Sequence, residues 1–167
     1  MELTIFTAGA EDLQRAGELT RRTSQLNTTG YTYSAEQLGE LATSDGHLLL
    51  MARLRDRLGD MGKIGLALVE TGQRTWVLKL LLMSCRVMGR GVGNVLLSQI
   101  MGAAARSGAR LRAELIPTGR NRMMYATFKF AGFREVSRDD NLVLLESDCQ
   151  RRPATPDHLS LRSREKN

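Results

Sequence analysis

The spacing of apolar residues changes its period along the chain. Polar and apolar residues alternate over Glu2–Thr7, which predicts a short β-strand. Over residues 10–23 the apolar residues return at every third or fourth position, which predicts an amphipathic helix. Ser34 with Gln37 three residues later matches a capping box, so we expect a second helix to begin there and to end at Gly46.

The rest of the chain alternates between strand and helix periods. Gly59 and Gly62 suit a hairpin loop over residues 56–62. Residues 75–84, which precede the next predicted helix, are apolar enough for a central strand. The order β-α-α-β-β-β-α-β-α-β-β predicts one α/β domain with a mixed sheet over residues 1–150, without repeats or an internal linker. The elements predicted after the second helix are strands at residues 48–54, 63–70, 75–84 and 111–116, helices at residues 91–107 and 121–131, and a hairpin over residues 133–145 that turns near Asp139, Asp140 and Asn141.

Basic residues are concentrated near the C-terminus. The 167-residue chain has 24 Lys and Arg against 18 Asp and Glu, a formal net charge of +6. Residues 151–167 hold five of the cations and two of the acids, a net +3 that is half of the total. Pro153 and Pro156 also fall there, so we expect a peripheral, disordered tail. The positive charge favours an anionic partner, such as a phosphorylated cofactor, an acidic protein or a nucleic acid.

The sequence lacks the signals that are typical of several classes of protein. The N-terminus has no basic region followed by an apolar core, and the apolar stretch at residues 76–83 is far shorter than the roughly 20 residues of a membrane helix. Cys85 and Cys149 give neither a disulfide framework nor a metal-ligand spacing, and His47 and His158 stand apart. We therefore expect a cytoplasmic protein with no metal and no membrane contact.

Residues 86–94 (Arg-Val-Met-Gly-Arg-Gly-Val-Gly-Asn), here called the glycine loop, lie between a predicted strand and a predicted helix. Glycines let backbone N–H groups approach an anion closely, and a helix N-terminus adds unpaired N–H donors. Arg86 and Arg90 could add positive charge. The loop lacks the Gly-Lys-Ser/Thr of a Walker motif and the acidic partner of a dinucleotide fingerprint. It therefore indicates a pyrophosphate site, with a tight packing turn as the alternative.

Two motifs resemble those of the GNAT family of N-acetyltransferases. Met88-Gly-Arg-Gly-Val-Gly93 is similar to motif A of that family (Arg/Gln-x-x-Gly-x-Gly/Ala), with methionine in the Arg/Gln position. The segment from Asn121 to Phe133 resembles motif B, which has Asn, an aromatic residue and then Gly-Phe. The resemblance covers about residues 1–146. It implies the GNAT fold, in which acyl-CoA lies where two parallel strands, here residues 75–84 and 111–116, splay apart.

The resemblance also implies how the chain would hold acetyl-CoA or another acyl-CoA. Backbone amides of the glycine loop would bind the pyrophosphate, and the end of the preceding strand would pair with pantetheine and polarise the thioester carbonyl. Asn121 would bond the pantetheine arm from the opposite side. The implied contacts are Met83, Ser84, Arg86, Met88, Gly89, Arg90, Gly91, Val92, Gly93, Asn121 and Phe128.

Three residues are candidates for the chemistry of acyl transfer. Many family members have a proton-donating tyrosine where this chain has Phe128, which has no proton to give. Tyr125, three residues earlier on the same helical face, could substitute for it or serve a structural role. Glu114 could act as a general base, or be a strand-edge carboxylate paired with an arginine of its own strand. Cys85 could accept the acyl group covalently, or fill space at a strand end.

Four segments resemble a smaller group more closely, the GNAT-like C-terminal region of FkbH-like proteins. Those proteins join it to a phosphatase-like domain and load a glyceryl unit onto an acyl carrier protein for polyketide extender units. The Asp-x-Asp-x-Thr motif of that first domain is missing here, so the reaction is not carried over. An acidic carrier protein would still suit the basic body, because it presents the same phosphopantetheine arm as CoA. The segments are residues 25–30, 63–69, 78–88 and 121–125.

These observations predict an acyl-CoA-dependent acyltransferase, of N-acetyltransferase type. Its acceptor would be an amine or hydroxyl of a small or carrier-bound intermediate in secondary metabolism, with Tyr31 and Tyr33 lining the acceptor side. The alternative is a non-catalytic or carrier-docking module that binds phosphopantetheine. Nucleic-acid binding is not expected, because the sequence shows neither exposed aromatic platforms nor a recognition helix. The acceptor, the acyl group and a homodimer are left open.

Overall fold

The computed structural model describes residues 1–164, and the charged residues Glu165 and Lys166 of the tail lie outside the described residues. Every predicted helix and strand is present in the predicted order, so the mixed α/β domain is confirmed, and one further strand follows. The strands are β1 (Glu2–Thr7), β2 (His47–Asp56), β3 (Gly59–Glu70), β4 (Thr75–Met83), β5 (Arg110–Leu115), β6 (Arg134–Arg138), β7 (Val143–Ser147) and β8 (Ser160–Arg164), and the helices are α1 (Leu13–Arg22), α2 (Ala35–Thr43), α3 (Val92–Arg106) and α4 (Arg122–Phe130).

The strands form one eight-stranded sheet in the order β6-β7-β5-β4-β3-β2-β1-β8. The pairs β4–β5 and β1–β8 are parallel, and the other pairs are antiparallel. Alternating side chains divide the core between the two faces of this sheet. Helices α3 and α4 cover one face with residues such as Leu96 and Phe128, and α1 and α2 cover the other with residues such as Leu19 and Leu38. No helix in residues 1–164 is long and apolar enough to cross a bilayer.

Local signals set several boundaries. The capping box at Ser34 is confirmed, because Ser34 Oγ accepts from Gln37 N at 3.1 Å and Gln37 Oε1 accepts from Ser34 N at 2.9 Å. The hairpin between β2 and β3 is tighter than predicted, since Asp56 already pairs with Gly59. Helix α1 begins three residues later than predicted, after a 3-10 turn at Ala10–Asp12.

Strands β4 and β5 run together only over their first half. Their parallel pairing ends at Leu78 and Ala113. One residue further on, β4 contains a bulge, because Leu78 and Leu80 pair with consecutive residues of β3 and Lys79 is left over. A bulge bends its strand and increases the local twist. The two strands therefore diverge toward their C-terminal ends, as the resemblance implied.

The tail differs from the prediction. Residues 151–167 were expected to be disordered, but Ser160–Arg164 forms β8 beside β1, with Leu3 opposite Leu161. On the way, the tail crosses α3, where Ser98 Oγ donates to Pro153 O at 2.9 Å, and Leu159 is buried. The physical reason is that β1 would otherwise leave a row of backbone donors and acceptors unpaired at the edge of the sheet. Composition does not reveal such a partner, because backbone groups supply the pairing.

Candidate functional site

A cavity of about 290 Å³ opens where β4 ends and the glycine loop begins. The loop and the first turn of α3 form one wall, and α4 forms the wall opposite. The wall residues are mostly apolar, and four of them are methionines. The lining residues are Leu26, Met83, Val87, Met88, Gly89, Gly91, Val92, Gly93, Asn94, Met123, Met124 and Thr127.

The glycine loop has the backbone conformation that its glycines permit. Gly89 and Gly91 have φ values of 77° and 79°, in the left-handed region that side chains disfavour. The 3-10 turn Cys85–Val87 before them is begun by Ser84, whose Oγ accepts from Arg86 N. Gly91 is the residue before α3, a helix of 15 residues whose first amides have no intrahelical acceptor. Backbone donors and the positive end of the helix dipole thus meet at one wall of the cavity.

The tail supports the loop from outside. A Cβ atom on Gly91 would lie 3.2 Å from Pro156 Cγ, which shows how closely the tail covers this position. His158 Nε2 donates to Arg90 O at 2.9 Å. The conformation of the loop therefore depends on residues more than 60 positions away.

Neither arginine of the loop lines the cavity. Arg86 Nη2 donates to Met61 O at 3.2 Å, and Arg90 Nη1 donates to Asp56 Oδ2 at 3.1 Å. The hydrogen bond from Arg90 lowers the pKa of the Asp56 carboxyl. The cavity wall therefore offers backbone amides rather than guanidinium groups, and the predicted contacts of Arg86 and Arg90 with a pyrophosphate stay predictions.

Residues 26–29, here called the wedge segment, lie in the gap between β4 and β5. Thr28 N donates to Leu81 O at 3.1 Å, and Met83 N donates to Leu26 O at 2.9 Å. These two bonds make an antiparallel bridge to the edge of β4 that faces the gap. All four residues of the segment are buried, at most 7% exposed.

Asn121 ties the wedge segment to the other side of the gap. Its Nδ2 donates to Asn27 O at 3.0 Å and to Ile116 O at 2.9 Å, and its Oδ1 accepts from Thr118 N at 2.9 Å. Ile116 N in turn donates to Thr28 O at 2.9 Å. The amide predicted to bond a pantetheine arm is thus satisfied inside the protein. The buried side chain of Asn121 is 3% exposed and does not line the cavity.

Glu114 lies in an ion pair on the opposite face of the sheet. Lys79 Nζ contacts both oxygens of its carboxylate. Burial alone would lower the pKa of Lys79, but the hydrogen bond and charge of Glu114 outweigh it, and the pKa is raised. The alternative of an arginine partner is wrong, because Arg110 and Arg112 pair with Glu146, the residue opposite Arg112 in β7. The partner of Glu114 comes from the bulge of β4 instead.

Two tyrosines flank this ion pair. Burial is the main cause that raises the pKa of Tyr31, and the negative charge of Glu114 is the second. Burial also raises the pKa of Tyr33, with Lys79 opposing and Glu114 adding to the increase. The side chains of Tyr31, Tyr33, Lys79 and Glu114 form a polar cluster on the α1/α2 face of β4, and the expectation that the two tyrosines line an acceptor side stays a prediction. The cluster can orient a polar group but contains no uncommitted carboxylate.

Tyr125 and Cys85, the other two candidates for catalysis, lie outside the cavity, and so does Phe128, an implied cofactor contact. Tyr125 Oη donates to Glu135 Oε1 at 2.8 Å, and this bond raises the pKa of the phenol. Phe128 is completely buried, with its ring centroid 5.2 Å from that of Phe133. Cys85 is exposed, and its Sγ lies 3.7 Å from Gln25 Oε1.

Sequence reasoning missed part of the cavity wall and the wedge segment. Met124 and Thr127 stand three residues apart on α4, a spacing that places them on one helical face and could have indicated a lining role. No sequence pattern indicated a role for Leu26, because it holds the wedge segment to β4 through its backbone carbonyl, which accepts from Met83 N. Within residues 1–164, no group of His, Cys, Asp and Glu side chains is arranged to hold a metal ion.

Comparisons with solved structures reveal the same fold in several acetyltransferases. The ribosomal-protein-S18-alanine N-acetyltransferase from Escherichia coli is 15% identical with a TM-score of 0.67, and the match covers 95% of this chain and 99% of that one. PaiA N-acetyltransferase from Thermoplasma acidophilum, in complex with coenzyme A, is 18% identical with a TM-score of 0.72, over 87% and 98%. The GNAT domain of S. lividans PAT is 22% identical with a TM-score of 0.66, over 86% and 88%.

Searches by sequence add nothing to this likeness, since no protein-family model and no curated protein match the chain. The closer resemblance to FkbH-like proteins stays a prediction. At these identities the likeness concerns architecture: a mixed sheet with a glycine loop between β4 and α3, and strands that diverge beside it. The chain has the fold of the GNAT acetyltransferases.

Proposed function

We propose that the protein is an acyl-CoA-dependent acyltransferase of the GNAT type, whose acceptor is an amine or hydroxyl of a small or carrier-bound intermediate in secondary metabolism. The observation that carries the proposal is the cavity at the end of β4, where the glycine loop and the N-terminus of α3 form one wall. The fold of GNAT acetyltransferases supports it.

The diphosphate end of CoA fits this wall. A diphosphate needs several hydrogen-bond donors and a favourable field, and the loop backbone with the first turn of α3 supplies both. Gly89 and Gly91 have no side chain to obstruct the approach. Asn94, the third residue of α3, adds an amide side chain to the lining. When bound, the thioester of acyl-CoA supplies an activated acyl group for attack by a nucleophile.

On the other face of β4, the cluster of Lys79, Glu114, Tyr31 and Tyr33 supports the position of an acceptor. The Lys79 ammonium and the tyrosine hydroxyls can orient a polar substrate near the bulge of β4. Glu114 holds Lys79 in place, so we assign it to positioning. Tyr125 is bonded to Glu135, so proton delivery to a leaving thiolate is left to solvent or to the acceptor.

Calorimetric titration with acetyl-CoA tests the proposal, with Asn94→Glu and Asn94→Gln as a matched pair. A carboxylate at this position repels a diphosphate, so Asn94→Glu should weaken binding by at least about ten-fold. Asn94→Gln should change it by less than about three-fold. Glutamate in the first turn of a helix favours folding, so lost binding would not reflect lost structure. Absence of acetyl-CoA binding by the unmodified protein would contradict the proposal.

A second candidate is a non-catalytic module that docks an acyl carrier protein and holds its phosphopantetheine. The rim of the cavity favours it, because Met88 and Met123 are 40% and 48% exposed beside the cavity. Exposed, flexible methionines suit a protein partner that must be accommodated at the mouth of a site. Arg86 and Arg122, both exposed, would meet the acidic surface of a carrier.

Charge reversal distinguishes this candidate. The double variant Arg86→Glu with Arg122→Glu should weaken binding of a phosphopantetheinylated carrier by at least about ten-fold at low salt. Arg74→Glu is the control, since Arg74 precedes β4 at the end of the strand away from the cavity. Equal binding by all variants would contradict docking at this rim. Turnover with acetyl-CoA and a panel of amines would favour the enzyme over the docking module.

A further inference from the structure

The gap between β4 and β5 leads inward from the cavity, and the chain itself fills it. A ligand with an extended arm that reaches past the cavity must run along the edge of β4 that faces the gap and form hydrogen bonds with the backbone N–H and C=O groups of that edge. Those groups of Leu81 and Met83 are already bonded to Thr28 and Leu26. Leu26 lines the cavity of about 290 Å³, a volume at the lower limit of the roughly 300–1,000 Å³ typical for drug-sized ligands.

We infer that the wedge segment is an autoinhibitory strand that occupies the channel for the pantetheine arm and must withdraw before a thioester can bind. The inference rests on the proposed function. The diphosphate end of CoA fits the cavity without any movement, whereas its arm does not fit while residues 26–29 remain in place. Binding at the mouth and access to the sheet are therefore two separate steps.

The composition of the wedge segment favours its withdrawal from the gap. Three of its four residues are polar, so withdrawal exposes little apolar surface. Its bonds are made by amides and hydroxyls, and the two amide groups of a pantetheine arm can replace them on the same edge of β4. Leu26 alone would lose apolar burial.

The flanks of the wedge segment allow the movement. Ser24 and Gln25 before it are exposed, and so is Gly30 after it. Gly30 has a φ of 73°, and no atom lies within 4 Å of the position of a Cβ. The backbone can therefore turn at both flanks of the segment, and withdrawal also requires that the bond from Asn27 Nδ2 to Thr23 O, 3.0 Å long, be broken.

Thr28 is the residue that most directly holds the wedge segment to β4. Its backbone N–H donates to Leu81 O, and its Oγ1 accepts from Leu81 N at 3.0 Å. Thr28→Val removes the second bond and keeps the shape of the side chain. Thr28→Ser keeps the hydroxyl and is the matched control. If Thr28→Val does not fold, Thr29→Val replaces it, because Thr29 Oγ1 donates to Lys79 O at 3.1 Å.

The test compares CoA with 3′-phosphoadenosine 5′-diphosphate, which lacks the arm. The unmodified protein should bind the two within about three-fold of each other, because the arm gains few contacts after displacing the wedge segment. Thr28→Val should bind CoA about five-fold more tightly, the equivalent of one lost hydrogen bond, with no change for the nucleotide. Thr28→Ser should behave as the unmodified protein. In hydrogen exchange, the backbone amide of Thr28 should lose its protection when CoA binds. Its protection should be unchanged when the nucleotide binds.

The outcomes separate the two proposals. If the nucleotide binds but Thr28→Val gains nothing for CoA, the autoinhibitory role is overturned and the proposed function stands. The role is also overturned if CoA binds at least about ten-fold more tightly than the nucleotide while Thr28 keeps its protection. If neither ligand binds either protein, the proposed function is overturned, and the inference that rests on it falls with it.

Discussion

Asn121 shows how one side chain can hold two distant segments together. Its Nδ2 and Oδ1 together satisfy three backbone groups, on Asn27, Ile116 and Thr118, and the residue is 3% exposed. Asn121→Ala would remove all three hydrogen bonds, and the buried carbonyl of Asn27 would lose this partner. We expect the free energy of unfolding, measured by urea denaturation, to fall by about 1–3 kcal/mol.

Arg122, the exposed next residue, is the matched control for Asn121. Arg122→Ala should change the free energy of unfolding by less than about 0.5 kcal/mol, because the side chain is on the surface. Equal stability of the Asn121→Ala and Arg122→Ala variants would show that the amide of Asn121 does not hold the gap closed.

The Tyr125–Glu135 pair predicts a dependence on pH. Hydrogen bonds from Arg138 and then from Tyr125 lower the pKa of Glu135 to about 2. A carboxyl whose pKa falls on folding stabilises the folded state at pH values above its ordinary pKa, and this contribution is lost as the pH falls through the folded value. A titration followed by carboxyl NMR should therefore place the midpoint of Glu135 near 2.

Tyr125→Phe supplies the comparison for that titration. Without the phenol, the midpoint of Glu135 should move upward, while Arg138 keeps it below the ordinary value of 4.5. The free energy of unfolding of Glu135→Gln should depend less on pH than that of the unmodified protein, between pH 4.5 and the lowered pKa of Glu135 in the folded protein. An unchanged midpoint in Tyr125→Phe would contradict the hydrogen bond that keeps Tyr125 from acting as an acid.

At the scale of elements, β8 and the segment before it are part of the fold. Leu159 is 6% exposed, and Ser160 N donates to Met1 O at 2.8 Å. Leu159→Ala should lower the free energy of unfolding by about 2–4 kcal/mol, because it removes buried apolar atoms and leaves a cavity. Leu58→Ala, at a side chain that is 96% exposed, should have almost no effect. Similar losses in both variants by urea denaturation would contradict the packing of the tail.

At the scale of the whole molecule, the first and the last described strands meet. The N-terminal ammonium group donates to His158 O at 3.0 Å, and β8 lies directly beside β1. Many arginines lie in ion pairs across the surface. Examples are Arg53 with Asp60, Arg90 with Asp56, Arg112 with Glu146, and Arg162 with Glu2.

A single sheet that includes both β1 and β8 should unfold as one unit. Trp76, the only tryptophan, stands near the start of β4 and reports on the centre of the sheet. We expect its fluorescence and the far-UV circular dichroism to give coincident urea transitions. An earlier transition in circular dichroism would show that part of the sheet, such as β8, unfolds separately.

Much of the fold could be predicted from local pattern. The period of the apolar residues marked every helix and strand up to β7, and the boundaries of β1 were correct. The glycine loop was also predictable, because left-handed backbone at Gly89 and Gly91 requires residues without a Cβ. These features depend on neighbours within a few positions, so they are visible in the order of the amino acids.

The sequence by itself thus determined the order of the elements, the loop and its place before α3. Only the tertiary structure decided what surrounds them: Arg90 turns to Asp56, Lys79 takes the carboxylate of Glu114, and β8 completes the edge of the sheet. Above all, it decided that Thr28 fills the gap beside β4. The physical reason is that backbone donors and acceptors pair across long distances in the chain with little regard to residue type, so no side-chain pattern announces them.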